Sequence, residues 1–301
     1  MIHIDIIFAA MINYNPREWF TFIFRIHQAD TVKKLVPMFI ALAIYSAGIA
    51  WLELEVFKLS EKDHIRNITA MHGLLGFVIS LLLVFRTNTA YDRWWEGRRQ
   101  WGALVNSSRN LAIKLQSMLP TGHLARRYFS HMIPNYAMAL KDHLRGEFHP
   151  HKLEGLTQEE LSHLHSGEHI PNQIATMIMS KANELYRQQV ITGDQLIVLN
   201  NQLESFTDIC GACERIKNTP IPFSYSVFLK KFIFFYVMTL PMGYVFGLGY
   251  LVIPMVVFIF YVLASLELIA EEIEDPFGKD ANDLPTETIA GNIRKHVQEI
   301  L

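Results

Sequence analysis

The chain has 301 residues, enough for one large domain or two ordinary ones; half are hydrophobic and only 19% are charged. A formal net charge of -2 leaves no support for a nucleic-acid partner, and a mean hydropathy of +0.17 is oily for a soluble protein. The N-terminus lacks the basic, apolar, small-residue order of a cleavable leader, so none is expected.

A helix needs about 20 apolar residues to cross a bilayer. Leu35 to Leu52 carries no charge, and Ile68 to Phe85 carries none apart from titratable His72. The stretch from Phe232 to Leu266 is also uncharged and too long for one span. Pro241, Gly243, Gly247, Gly249 and Pro254 cluster near its middle, which predicts two helices joined by a tight hairpin. Four transmembrane helices are therefore expected, at about 35–52, 68–90, 231–248 and 252–270. Lys and Arg near span ends set the orientation. Arg17, Arg25, Lys33 and Lys34 precede the first span, Arg86, Arg93, Arg98 and Arg99 follow the second, and Lys230 and Lys231 precede the third. Lys58, Lys62 and Arg66 in the first loop are offset by acids. Both termini, the middle region and the C-terminal segment 271–301 are thus expected in the cytoplasm, with the bacterial inner membrane as the location.

The middle region, about 91–230, reads as helical by period: Ala103 to Leu119, Ala125 to Leu144, and Ile174 to Tyr186 leading on to Gln195 to Ile216. Pro120-Thr121-Gly122 ends one helix, and Pro150 and Pro171 bound a loop holding His149, His151, His163, His165 and His169. The spacing His163-x-His165 suits a metal, but a solvated loop is the expectation, since no helix fixes the geometry. No strand and no internal repeat is visible. No GxSxG, phosphate loop, HExxH or GxGxxG occurs, so no enzyme, catalytic residue, cofactor or metal is expected. Cys210 and Cys213 read as two small buried thiols, and Gly243-x-x-x-Gly247 as a helix-packing signal. Altogether the chain reads as an all-α integral membrane protein with one large helical region outside the bilayer.

The second span runs without a breaker into a charged continuation. Phe77, Leu81 and Phe85 lie four apart and form one helical stripe, which Gly73 extends outward and beside which Gly76 permits close approach. Such a stripe faces lipid, packs in a core, or rings a pore as an apolar neck that gates by dewetting.

The residues after the stripe carry a resemblance. The segment RTNTAYDRWWEGRRQWGALVNSSRNL (86–111) resembles the bestrophin family, with Arg93-Trp94-Trp95, then Trp101 and a helix leading inward. TPIPFSYSVFLKKF (219–232) is similar to that family's Ile-Pro turn before its third span, and 275-DPFG-278 to its Asn-Pro-Phe-Gly. The matches fall in family order over about residues 20–285 and point to a prokaryotic member. The resemblance implies a single channel domain over 1–301 and an ion channel assembled from five copies around one central pore. It implies Phe77, Leu81 and Phe85 as the pore neck, Ile221 as a second, cytosolic aperture, and the chain itself, membrane lipids and monovalent ions as partners. Arg86 would snorkel at the inner surface, and Trp94 and Trp95 would sit near the inner face.

The family's animal members follow Pro-Phe-Gly with an acidic run that binds calcium. Here Lys279 and Ala281 interrupt that run and only Asp280 and Asp283 survive as a weak calcium-clasp remnant, so no tight calcium dependence is expected. The acidic stripe Glu267, Glu271, Glu274 favours monovalent cations if it faces the inner vestibule, with chloride the alternative. It could equally pair with Lys230, Lys231 or Arg93. Two other classes remain: a carrier using His72 and Glu267 as intramembrane titratable groups, and a scaffold whose cytosolic helices bind a partner.

Overall fold

A computed structural model describes residues 31–58, 66–164 and 167–301, with the backbone alone at 66–68 and 163. Arg17, Arg25, Lys62 and His165 lie outside the described residues, as do the side chains of Arg66 and His163. The described residues form nine α-helices and no strand: α1 (Thr31–Trp51), α2 (Arg66–Met118), α3 (Leu124–Arg145), α4 (Gln158–His163), α5 (Ile170–Arg187), α6 (Gly193–Asn218), α7 (Phe223–Leu248), α8 (Val252–Glu274) and α9 (Thr286–Ile300). The fold class is all-α. Three stretches are long and apolar enough to cross a membrane: Thr31–Val56, the first part of Thr69–Met118, and Phe223–Glu274, which contains both α7 and α8.

The chain divides into two units. The apolar one comprises residues 31–93 and 220–274. In it α1 lies against α8, with Phe39 edge-on to Phe260 at 6.0 Å and the Thr31 and Ser265 hydroxyls 2.6 Å apart. The α7–α8 hairpin turns through Gly249–Leu251, and Gly249 takes φ 55°, which a residue with a Cβ rarely adopts. Against α7, α2 places His72, whose Nε2 is 2.8 Å from the Thr239 hydroxyl and whose ring stacks on Tyr244. A Cβ at Gly76 would lie 2.8 Å from the Tyr236 hydroxyl, so a larger residue would have to displace that side-chain tip. A Cβ at Gly247 would meet nothing within 4 Å, whereas the Gly243 carbonyl accepts from the Thr69 hydroxyl of α2 at 3.2 Å. The span helix α7 begins already at Phe223, since Pro222 fixes the entry and no breaker follows before Pro241.

The other unit comprises Trp94–Thr219 and Asp275–Leu301. Its core includes Trp101, Leu104, Phe129, Tyr136, Phe206 and Phe277, all fully or almost fully buried. The Tyr136 ring stacks on Phe206 at 4.9 Å while its hydroxyl donates to the Phe206 carbonyl at 2.6 Å, so the one polar atom of that pair is satisfied. Local signals mark the helix starts. Thr157 with Glu160, and Thr192 with Gln195, form complete capping boxes. Thus the segment bounded by Pro150 and Pro171 is not all loop: the first box opens the short helix α4. Cys210 and Cys213 are unpaired and buried. Burial, the Glu214 charge and a hydrogen bond with Tyr136 act together on the Cys210 thiol and leave it at about 12, so it stays protonated.

Candidate functional site

The helix α2 continues from Arg66 to Met118 without interruption. Its buried residues in the apolar unit are His72, Ile79, Leu83, Arg86 and Ala90, at helical spacings of three, four and seven. Phe77, Leu81 and Phe85 point roughly 180° away from that face at about 100° per residue. They are 68%, 45% and 57% exposed. The chain therefore packs one side of this helix and leaves the opposite side, apolar along its length, bare. Leu82 stands off that line and is half-buried, and its carbonyl accepts from the Tyr225 hydroxyl at 3.0 Å.

At the charged end of this face the structure brings together residues far apart in sequence. Phe85, Arg86 and Thr89 of α2 line an open cleft of about 400 Å³ with Ile221, Pro222 and Tyr225. Ile221 is half-buried at the N-terminal turn before α7, and its backbone N–H donates to Glu274 Oε1 at 2.7 Å.

The expectation that Arg86 snorkels to the surface is overturned. Arg86 is 1% exposed, donates to Glu274 Oε2 at 2.7 Å and lies 3.4 Å from Glu267 Oε2. A guanidinium this deep needs a carboxylate beside it, because desolvation of an unpaired charge costs several kcal/mol. Glu274 also accepts Arg93 Nε through its backbone carbonyl at 3.0 Å. One residue thus ties α2, the Ile221 turn and α8. The remaining member of the acidic stripe, Glu271, pairs with Lys230 at 2.9 Å, and its neighbour Glu272 pairs with Lys34 at 2.7 Å. Pairing, rather than a free negative surface, is what the stripe does within the chain.

In the other unit, Trp94 donates from Nε1 to the Asn282 carbonyl at 3.0 Å, while Trp95 is 54% exposed. A Cβ at Gly97 would meet Pro276 and Phe277 at 3.0 and 3.2 Å, so the Trp-Trp-Glu-Gly run is shaped to receive the Pro-Phe-Gly segment. Arg145 donates to the Phe277 carbonyl, and Lys217 to Asp275. Asp283 is buried and its Oδ2 accepts the Asp280 N–H at 2.7 Å, so this carboxylate closes its own turn. Asp280 is exposed, and Lys279 pairs with Glu147.

Of the histidines, His143, His169 and the carboxylate of Glu214 converge within ligand distance of one another. Sequence reading missed this group. Its members come from α3, the cap of α5 and α6, and no short-range spacing records their meeting.

Residues 11–299 match the model of the Bacterial/Fungal Bestrophin protein family. A voltage-dependent anion channel-forming protein of Synechocystis sp. is 31% identical over 95% of this chain and 93% of its own length. One from Nostoc sp. is 36% identical over 75% of each. A crystal structure of a bacterial bestrophin homolog from Klebsiella pneumoniae superposes with a TM-score of 0.81 at 26% identity, covering 88% of this chain and 98% of that one. An all-α chain with this continuous helix, the Arg-Trp-Trp and Pro-Phe-Gly segments in place, and the family model matched from near one end to the other belongs to the bacterial and fungal bestrophin family.

Proposed function

We propose that this chain is the subunit of a membrane ion channel, built from five copies around one pore lined by α2, and that it passes monovalent anions. The observation that carries the reading is the bare apolar face of α2, with Phe77, Leu81 and Phe85 opposite the side that packs. In a monomer that face would lie against lipid. Five copies around an axis would turn it inward and make three apolar rings, a neck that dewets when narrow. Ile221 would form a second constriction on the cytosolic side. The five-fold ring closes through heterologous contacts. The channel would lie in the bacterial inner membrane with both termini in the cytoplasm.

The cation preference drawn from the acidic stripe loses its ground, because Glu267, Glu271 and Glu274 face Arg86 and Lys230. The relatives from Synechocystis and Nostoc are named as anion channel-forming proteins, which supports chloride-like ions here. Lys279 and Ala281, which interrupt the acidic run, and the ion pair of Lys279 with Glu147 support a channel without calcium activation.

Planar-bilayer recording of the purified protein under asymmetric KCl tests this. We expect unitary steps and a reversal potential on the chloride side. Leu81→Ala should raise conductance or open probability while Leu82→Ala does not; Ala preserves the helix. A current carried by potassium would overturn the anion assignment. Equal behaviour of both variants and the parent would remove the neck, and a monomer as the main species in native mass spectrometry would remove the pentamer.

A further inference from the structure

In the unit formed by Trp94–Thr219 and Asp275–Leu301, three helices bring a second set of functional groups to one point. His143 lies on α3, His169 caps the N-terminus of α5, and Glu214 lies on α6. Both imidazole Nε2 atoms are 2.7 Å from the same oxygen, Glu214 Oε1. The ring centroids are 4.3 Å apart. Cys210, one turn before Glu214, places its sulfur 4.0 Å from His169 Nε2. Each of the three side chains is 30% exposed, so a hydrated ion can reach them.

We propose that His143, His169 and Glu214 form a binding site for a divalent transition metal of the zinc class. Two imidazoles and one carboxylate are a donor set that zinc takes when it keeps an open fourth position. Calcium and magnesium take oxygen ligands and are disfavoured by the two nitrogens. Tetrahedral bonds of about 2.0–2.1 Å hold donors roughly 3.3 Å apart. Each imidazole nitrogen needs to move only about half an ångström from the Glu214 oxygen to reach that spacing, and all three donor atoms already lie within 4.8 Å of one another. The other histidine-acid cluster, Asp142, Glu147 and His149, is a poorer candidate, because Lys141 sits on Asp142 and Lys279 on Glu147.

Binding rearranges protons without consuming any. Today His169 Nδ1 accepts the Asn172 N–H at 3.2 Å, which leaves the proton on Nε2, facing Glu214. Ligation needs the Nε2 lone pair. On each of the two imidazoles the Nε2 proton passes through solvent to Nδ1, and at His169 that nitrogen can then no longer accept from Asn172. The metal bond replaces the helix cap, and the Asn172 amide gains faster hydrogen exchange.

The test uses the full-length, tag-free protein in detergent. It is stripped with chelator, then incubated with zinc chloride and desalted. Elemental analysis should find one retained zinc per chain. Cobalt(II) in its place should give the strong visible bands of a tetrahedral site. Glu214→Gln should lose retention, and so should His169→Asn. Asn is itself a good helix cap, so that variant removes the ligand and keeps the fold. His149→Gln should retain the metal. The proposal is overturned if the parent retains no zinc, or if His169→Asn, folded by circular dichroism, retains as much as the parent.

Discussion

The two halves of α2 belong to one unbroken helix and are used in opposite ways. From Trp94 onward the helix turns Trp101, Leu104, Leu111 and Leu115 into a closed protein core and shows polar residues to water. Before Arg93 it buries a narrow stripe and leaves Leu74, Phe77, Leu81, Val84 and Phe85 outside. Only 22% of the most apolar window of α2 is covered by the chain itself. Packing against the same protein therefore accounts for the second half and not for the first. Whatever covers the remainder of the first half, lipid or another subunit, is supplied from outside the chain. Buried charge occurs in both units: Arg86 in the apolar one and Lys141 in the other are each 1% exposed and each held by two carboxylates, Glu267 and Glu274 for Arg86, Asp142 and Glu287 for Lys141.

That contrast can be broken by experiment. The largest effect is expected at Glu274→Ala, which leaves Arg86 buried beside one imperfectly placed carboxylate. Removing one partner of a buried pair costs about 3–5 kcal/mol. The thermal midpoint in detergent should drop sharply, or the protein should fail to accumulate. The exposed pair Lys230–Glu271, at 48% and 50% exposure, is the control: Lys230→Ala should cost less than about 1 kcal/mol. Equal losses would mean that burial does not separate the two pairs.

Close behind comes Phe206→Ala in the water-facing core, at about 3–5 kcal/mol for a buried aromatic. Phe77→Ala should leave the melting midpoint nearly unchanged and alter the current instead. A large stability loss at Phe77 would place that ring in a protein core.

A smaller effect should come from acid. Burial pushes the Glu214 carboxyl up, but hydrogen bonds from His143 and His169 outweigh it and hold it below the usual 4.5. Glu287 follows the same pattern through Lys141 and Lys152. A depressed carboxylate adds stability above its unfolded pKa and loses it as pH falls through the folded value. Stability of the helical unit, followed in chelator, should therefore decline below about pH 4.5, and Glu214→Gln with Glu287→Gln should flatten that decline. A decline of unchanged slope in the double variant would assign the acid sensitivity to other groups.

The smallest effect is expected from calcium. Asp280→Ala with Asp283→Ala should leave the current unchanged across micromolar calcium. A steep calcium response in the parent that the double variant lacks would restore a working clasp.

Charge-free length and breaker residues made the helical class, the apolar stretches and the unbroken run through Phe85 to Trp101 legible, because each depends on neighbours in sequence. The starts of α4 and α6 were written locally too, as Thr157-Glu160 and Thr192-Gln195 boxes. The fate of Arg86 was not. The cost of burying a guanidinium is visible in sequence, but its partner is 188 positions away. The stripe Glu267-Glu271-Glu274 showed spacing without showing which cation would meet it. The His143–His169–Glu214 group was hidden for the same reason, since its members stand up to 71 positions apart, whereas the His163-x-His165 spacing is local.

The Arg86–Glu274 pair also sets a schedule. A ribosome adding roughly 5–20 residues per second takes about 10–40 s to travel the 188 positions between these partners. For that interval Arg86 must wait at the membrane without the carboxylates that will hold it. A nascent chain cut short before α8 can never bury it. Burial of Arg86 therefore waits for the completion of α8.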